Sequence, residues 1–210
     1  VDFSESFTDY NVQDERKILE AVTWALTGFN SIDKVQIWVE GRRLTEMPKD
    51  ATPLDQPLAR SMGINLEIAE DVNPALASAV TLYFQGQTAD DYSYYVPVTR
   101  LIRYADDMTS AAVEQLLEGP AHNSGLHGVL AAGTEVLNVS VHNDTVIVNF
   151  AGGIAEQSDA IQAVVLSLIE QTGLPKVQIM VDGQAGVTVG DAKEYASPVT
   201  KPAQLNPIKS

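Results

Sequence analysis

A chain of 210 residues holds one large domain or two small ones. Its 28 acidic residues against 13 basic ones give a net charge of −15, which argues against nucleic acid as a partner and against membrane contact through a basic patch. The absence of cysteine removes disulfides, thiol catalysis and cysteine-based zinc sites together.

Val1, Asp2 and Phe3 read as the end of a strand. A helix follows, with Ile18, Leu19, Val22, Leu26 and Phe29 at helical spacing. Asp14 and Glu15 place negative charge at its start, where the helix dipole favours it. Gly28 and the pair Asn30-Ser31 mark its end. Residues 34–41, Lys-Val-Gln-Ile-Trp-Val-Glu-Gly, alternate apolar with polar as a half-buried strand does. Pro48, Pro53 and Pro57 then exclude long helices. Residues 67–79, with Glu67, Glu70, Asp71 and Pro74, read as an acidic connector.

A second unit opens at Val80 with a strand over 80–84, rich in β-branched and aromatic residues. Asp90, Asp91, Tyr92, Tyr94 and Tyr95 lead into an extended run over 95–103. The next helix carries Ala112, Val113, Leu116 and Leu117 on one face, with Asp106 or Asp107 as its N-cap. It stops at Gly119-Pro120. Residues 136–141 and 145–150 alternate and form a hairpin across a three-residue loop, His142, Asn143 and Asp144. A further helix places Ile161, Val164, Val165 and Leu168 on one face and ends at Gly173, before Pro175. Residues 176–183, Lys-Val-Gln-Ile-Met-Val-Asp-Gly, close the unit, and a proline-containing tail runs to Ser210.

The string at 34–41 returns at 176–183, so the chain contains an internal repeat. Val1-Asp2-Phe3 matches Val148-Asn149-Phe150, and the tails match with Pro53 on Pro198 and Pro57 on Pro202. This divides the chain into residues 1–66, the C-terminal half of a first unit, a linker over 67–79, and a complete second unit over 80–210. The counterpart of 80–147 is expected upstream of Val1. The Ile18, Val22 and Leu26 face is then expected to be covered by residues outside this chain or by another molecule. A full unit of strand, extended run, helix, hairpin, helix and strand predicts an α+β fold, a small sheet with two helices on one face.

Five motifs stand in order: Val-Thr-Leu-Tyr-Phe at 80–84, Val-Pro-Val-Thr-Arg at 96–100, Leu-Leu-Glu-Gly-Pro at 116–120, Val-Ile-Val-Asn-Phe at 146–150, and the string at 176–183. Together they resemble the tandem GerM-domain family over nearly the whole chain. The resemblance implies a fold like that of ring-building secretion domains. It implies a non-enzymatic exported lipoprotein of endospore-forming Gram-positive bacteria, acting in sporulation and germination by protein–protein interaction. Such a protein sits between mother cell and forespore and helps assemble or localise their channel complex. Its partners would be other sporulation envelope proteins, with self-association as a further expectation. Membrane attachment would come only through an N-terminal lipid anchor absent from this sequence. No cofactor is implied.

The residues offer little catalytic chemistry. His122, His127 and His142 lack the spacing of a metal site. Ser124 precedes Gly125, but position 122 is histidine, so the nucleophile-elbow pattern fails. The paired acids fall in loops and read as solvated. Tyr92, Tyr94 and Tyr95 are the least ordinary cluster, suited to packing an edge strand or to contacting a protein or a glycan. A peptidoglycan-binding module is the alternative function on that basis. Glu118, Gly119 and Pro120, the family motif, read first as a helix stop and second as a contact loop.

Overall fold

The computed structural model describes residues 1–29, 31–152, 158–186, 188–189, 193–202 and 205–206. They form two compact units, Val1–Leu66 and Glu67–Ser210. Asn30, half of the expected helix-ending pair, lies outside the described residues. No helix among the described residues is long and apolar enough to cross a membrane.

The first unit contains β1 (Asp2–Phe3), α1 (Glu15–Leu26), β2 (Trp38–Val39) and β3 (Arg42–Arg43). β1 lies parallel to β2, and β2 antiparallel to β3. Leu19, Ile37, Met47 and Leu54 form the core, flanked by Phe3, Phe7 and Tyr10. α1 buries Glu15, Leu19, Glu20, Thr23 and Trp24. Of the apolar residues expected at helical spacing, Leu19 is fully buried, Ile18, Val22 and Leu26 are half-buried and Phe29 is exposed. Glu15, Glu20 and Trp24 take inner positions because partners satisfy them, whereas the buried Thr23 hydroxyl has no hydrogen-bond partner among the described residues. Glu20 accepts from Arg16 Nε at 2.7 Å and from the Asn65 amide at 3.1 Å. Trp24 Nε1 donates to the Gly63 carbonyl at 3.0 Å, under the Arg60 guanidinium 4.2 Å from its ring.

The second unit contains β4 (Glu67–Ile68), β5 (Ala77–Gln87), β6 (Ser93–Arg103), α2 (Met108–Glu118), β7 (Val136–His142), β8 (Thr145–Phe150), α3 (Ser158–Thr172) and β9 (Lys176–Val181). The short strands β10 (Thr188–Val189), β11 (Lys193–Glu194) and β12 (Val199–Thr200) follow. The α+β class holds, with the strands shared between sheets of order β4-β6-β5 and β12-β9-β8-β7 rather than gathered into one. α3 packs on β5 and also on β9, while α2 packs on α3 and β5. Ala160, Ile161, Val164, Val165 and Leu168 of α3 are fully buried.

Two expectations change and one open choice is resolved. Glu67 and Ile68 form a strand parallel to β6, so the connector's first residues belong to the sheet. His142 pairs with Thr145, which leaves a two-residue loop with Asn143 in the left-handed region at φ 53°. Asp107, not Asp106, caps α2, accepting from the amides of Thr109 and Ser110 at 3.0 and 3.1 Å.

The duplication extends to hydrogen bonds. Phe3 pairs with Val39 as Phe150 pairs with Val181. Glu40 and Asp182 have φ of 48° and 50°, each followed by a left-handed glycine. The Gly41 amide donates to Asp2 Oδ1 at 3.1 Å, as that of Gly183 does to Asn149 Oδ1 at 2.9 Å. Ile37 and Ile179 are both buried. The tails are aligned differently from the sequence reading. Leu58 lies opposite Val35, and Val199 opposite Val177, so Pro57 corresponds to Pro198.

Candidate functional site

Alternation along β6 separates the three tyrosines, with Tyr92 and Tyr94 on one face and Tyr95 on the other. The Tyr92 and Tyr94 rings stack with centroids 6.4 Å apart and an interplanar angle of 17°. Tyr94 stands opposite Gly86. A Cβ on Gly86 would lie 2.7 Å from Tyr94 Cζ, so the ring occupies the space that glycine leaves. The turn below is held by Thr88, whose amide donates to the Tyr92 carbonyl at 2.9 Å and whose hydroxyl accepts from the Tyr92 amide at 3.1 Å. Tyr95 is fixed through its backbone. Its amide donates to Asn206 Oδ1 at 2.7 Å, and its carbonyl accepts from Asn206 Nδ2 at 2.8 Å. The side-chain amide thus stands in for a neighbouring strand.

The family motif is built into the interior by a residue that sequence reasoning passed over. Gly119 ends α2 with φ 85° and ψ −178°, a conformation open essentially to glycine alone. Its carbonyl accepts from Arg100 Nη2 at 2.6 Å. Arg100 is buried, pairs with Glu67 Oε2 through Nη2 at 2.8 Å and Nε at 3.1 Å, and reaches Gln115 Oε1 at 3.2 Å. Glu67 Oε1 accepts from the Ala121 amide at 3.4 Å. One guanidinium therefore ties β4, β6 and the end of α2 together. Glu118 points to a local partner, accepting from Gln115 Nε2 at 2.8 Å, and Pro120 prevents the helix from continuing. The signal was present: Val96, Val98, Arg100 and Ile102 share a strand face, and a cation at an inward position calls for a buried acid.

Glu15 carries the strongest electrostatic perturbation of any carboxylate described. It is 1% exposed and accepts five hydrogen bonds: from Tyr10 Oη at 2.5 Å, Thr52 Oγ1 at 2.6 Å, and the amides of Asp50, Lys49 and Thr52 at 2.9, 3.2 and 3.2 Å. Burial opposes its ionisation, but the donors from Thr52, Tyr10 and the loop backbone outweigh it and hold the carboxyl at about 2. Burial first, and the adjacent carboxylate second, push the Tyr10 hydroxyl up to about 12. A carboxylate so firmly ionised cannot deliver a proton near neutrality. Its role is to hold the 49–52 loop on the first turn of α1.

The remaining candidates do not converge. The His127 backbone bridges to Gln85, its amide donating at 2.8 Å. Among the described residues, no group of three or more histidine, aspartate or glutamate side chains is placed to hold a metal ion.

Residues 1–45 and 81–187 match the family described as Germane: Sporulation and spore germination. The chain is 34% identical over 98% of its length to the spore germination protein GerM of Bacillus subtilis strain 168, and spans 59% of that protein. Its fold superposes on the tandem GerMN domains of the sporulation protein GerM from Bacillus subtilis with a TM-score of 0.88 and 34% identity, covering 98% of this chain and 74% of that one. The duplicated α+β framework, with its Arg100-anchored motif, and these matches agree: the chain belongs to the Germane family of sporulation and spore germination proteins.

Proposed function

We propose that this protein is a non-enzymatic interaction module of the cell envelope in sporulating bacteria. It acts in sporulation and germination by helping assemble or localise the channel complex between mother cell and forespore. It works outside the cytoplasm, held to the membrane by a lipid anchor beyond this sequence, among other envelope proteins and with capacity for self-association. The observation that carries this reading is family membership across both repeats. The buried polar groups support it, because Arg100, Glu67 and Glu15 all face internal partners and hold the framework.

The test is co-isolation from sporulating cells. An epitope-tagged full-length protein replaces the native one, and spores are scored for heat resistance. Recovery of channel components with the tag, and loss of resistant spores on deletion, are the expected results. Normal spores on deletion, together with no envelope protein recovered, would overturn it. The alternative, a peptidoglycan-binding module, draws on the stacked Tyr92 and Tyr94 rings alone. Sedimentation with purified cell wall, weakened in Tyr92→Ala, would favour it. Equal and negligible sedimentation of both proteins would dismiss it.

A further inference from the structure

We propose that β7 is a docking edge that takes up an extended segment of another protein as a fifth strand of its sheet. The inference goes beyond the sporulation reading and does not depend on it. Sheet order β12-β9-β8-β7 leaves β7 outermost over 7 residues. An open edge presents backbone donors and acceptors to any suitable strand, so proteins blunt such edges or cover them. In the sheet of β4, β6 and β5 this chain covers them. The outward amides of β5 are taken by α3 and a loop: Thr81 by Gln171 Oε1 at 3.3 Å, Tyr83 by Ser167 Oγ at 2.8 Å, and Gln85 by the His127 carbonyl at 3.3 Å. The far edge of β6 meets β4 and Asn206. α2 approaches β7, but among the described residues no backbone or side-chain group hydrogen-bonds to its outward amides.

The composition of β7 points the same way. Residues 136–142 read Val-Leu-Asn-Val-Ser-Val-His, without lysine, arginine, aspartate or glutamate, in a chain that is 20% charged. The lysines and prolines that commonly guard an edge are missing, and a bulge between Val136 and Asn138 is the one irregularity. Leu137 is 49% exposed and Val141 52% exposed, although Val146, opposite Val141, is fully buried. The apolar strip thus continues past its cover on to the open strand.

Charge selects the occupant. A second copy would bring its own net charge of −15 against this one. An apolar-alternating strand with basic flanks meets the neutral edge without that repulsion and is drawn by the field of the chain. The partner is therefore a protein segment of that chemistry, bound by strand addition.

The probe is a fluorescein-labelled peptide, Lys-Lys-Val-Thr-Val-Thr-Val-Lys-Lys, titrated against the full chain by anisotropy, with hydrogen exchange mapping the amides. Expected are saturable binding, slowed exchange over 137–142, and weaker binding of the same core flanked by glutamates. Val141→Lys should weaken binding by about tenfold or more, because a new ammonium must be desolvated at the junction. Should Val141→Lys lower the melting temperature, Leu137→Lys on the bulge replaces it. Absence of binding, protection centred away from β7, or equal binding of the glutamate-flanked peptide would each overturn the proposal. So would β7 protection that rises with protein concentration alone, since the occupant would then be a second copy. These readouts concern the edge only, whereas co-isolation from cells concerns the partners.

Discussion

Glu15 shows how a buried acid can serve structure alone. Its carboxyl sits at about 2 in the fold, against an ordinary value of 4.5. A depressed carboxylate contributes stability above its unfolded value and loses it as pH falls through its folded one. The contribution is thus fully present above about pH 4.5 and gone below about pH 2, amounting to about 3 kcal/mol on linkage arithmetic. Glu15→Gln should lower stability at pH 7 by about 2 to 3 kcal/mol and flatten the loss between pH 4.5 and 2, read from urea unfolding across that range. Equal acid sensitivity in variant and parent would reject the assignment. Gly86 illustrates a different constraint, because its need for glycine is set by a neighbour and not by its own backbone. Gly86→Ala should cost about 1 kcal/mol or more by displacing Tyr94, and clearly less in a Tyr94→Ala background. A double-mutant cycle by thermal unfolding checks the coupling, and purely additive costs would contradict it.

At the level of elements, the second unit's strands and the later helices were legible, whereas the strand expected over 34–41 narrows to β2 and an isolated bridge at Val35. Val177, Ile179 and Val181 alternate and are buried, as their pattern demands. Ile161, Val164, Val165 and Leu168 likewise mark the inner face of α3. The first helix was legible too, but the burial of Glu15 and Glu20 was not, because periodicity counts apolar residues and cannot see donors waiting from distant loops. Arg100 and Glu67 were missed for the same reason, since a buried ion pair joins residues far apart in sequence. The tail register failed on a numerical coincidence: Pro53 and Pro57 have the same spacing as Pro198 and Pro202, so one register superposes both pairs, whereas the register of the fold superposes only Pro57 on Pro198. Only the ladder decides between them. A further contrast emerges from α1 and α3, aligned by the hydroxyl of Thr27 on the Thr23 carbonyl and of Thr172 on that of Leu168. Where α3 offers Ser167 and Gln171 to the amides of β5, α1 carries Val22 and Leu26. The helices therefore share their ends and their packing stripe but differ in how a strand could be held alongside.

For the molecule as a whole, the division between units has a measurable consequence. A fragment beginning at Glu67 retains the carboxylate that neutralises Arg100, whereas one beginning at Val80 leaves a buried guanidinium without it. The shorter fragment should be less stable by about 3 to 5 kcal/mol, measured by chemical unfolding of 67–210 against 80–210. Similar midpoints would show that the first connector residues contribute nothing. The duplication also bears on how the protein ages. Asp2 and Asn149 perform one task in the two copies, each lending a single oxygen to a glycine amide. Direct hydrolysis of the Asn149 side-chain amide to aspartate, without the backbone rearrangement that gives isoaspartate, would write the first copy's residue into the second. Asn149→Asp should melt within a degree or so of the parent, because the acceptor oxygen survives the exchange. Within this strand, loss of the amide nitrogen alone would pass without structural trace.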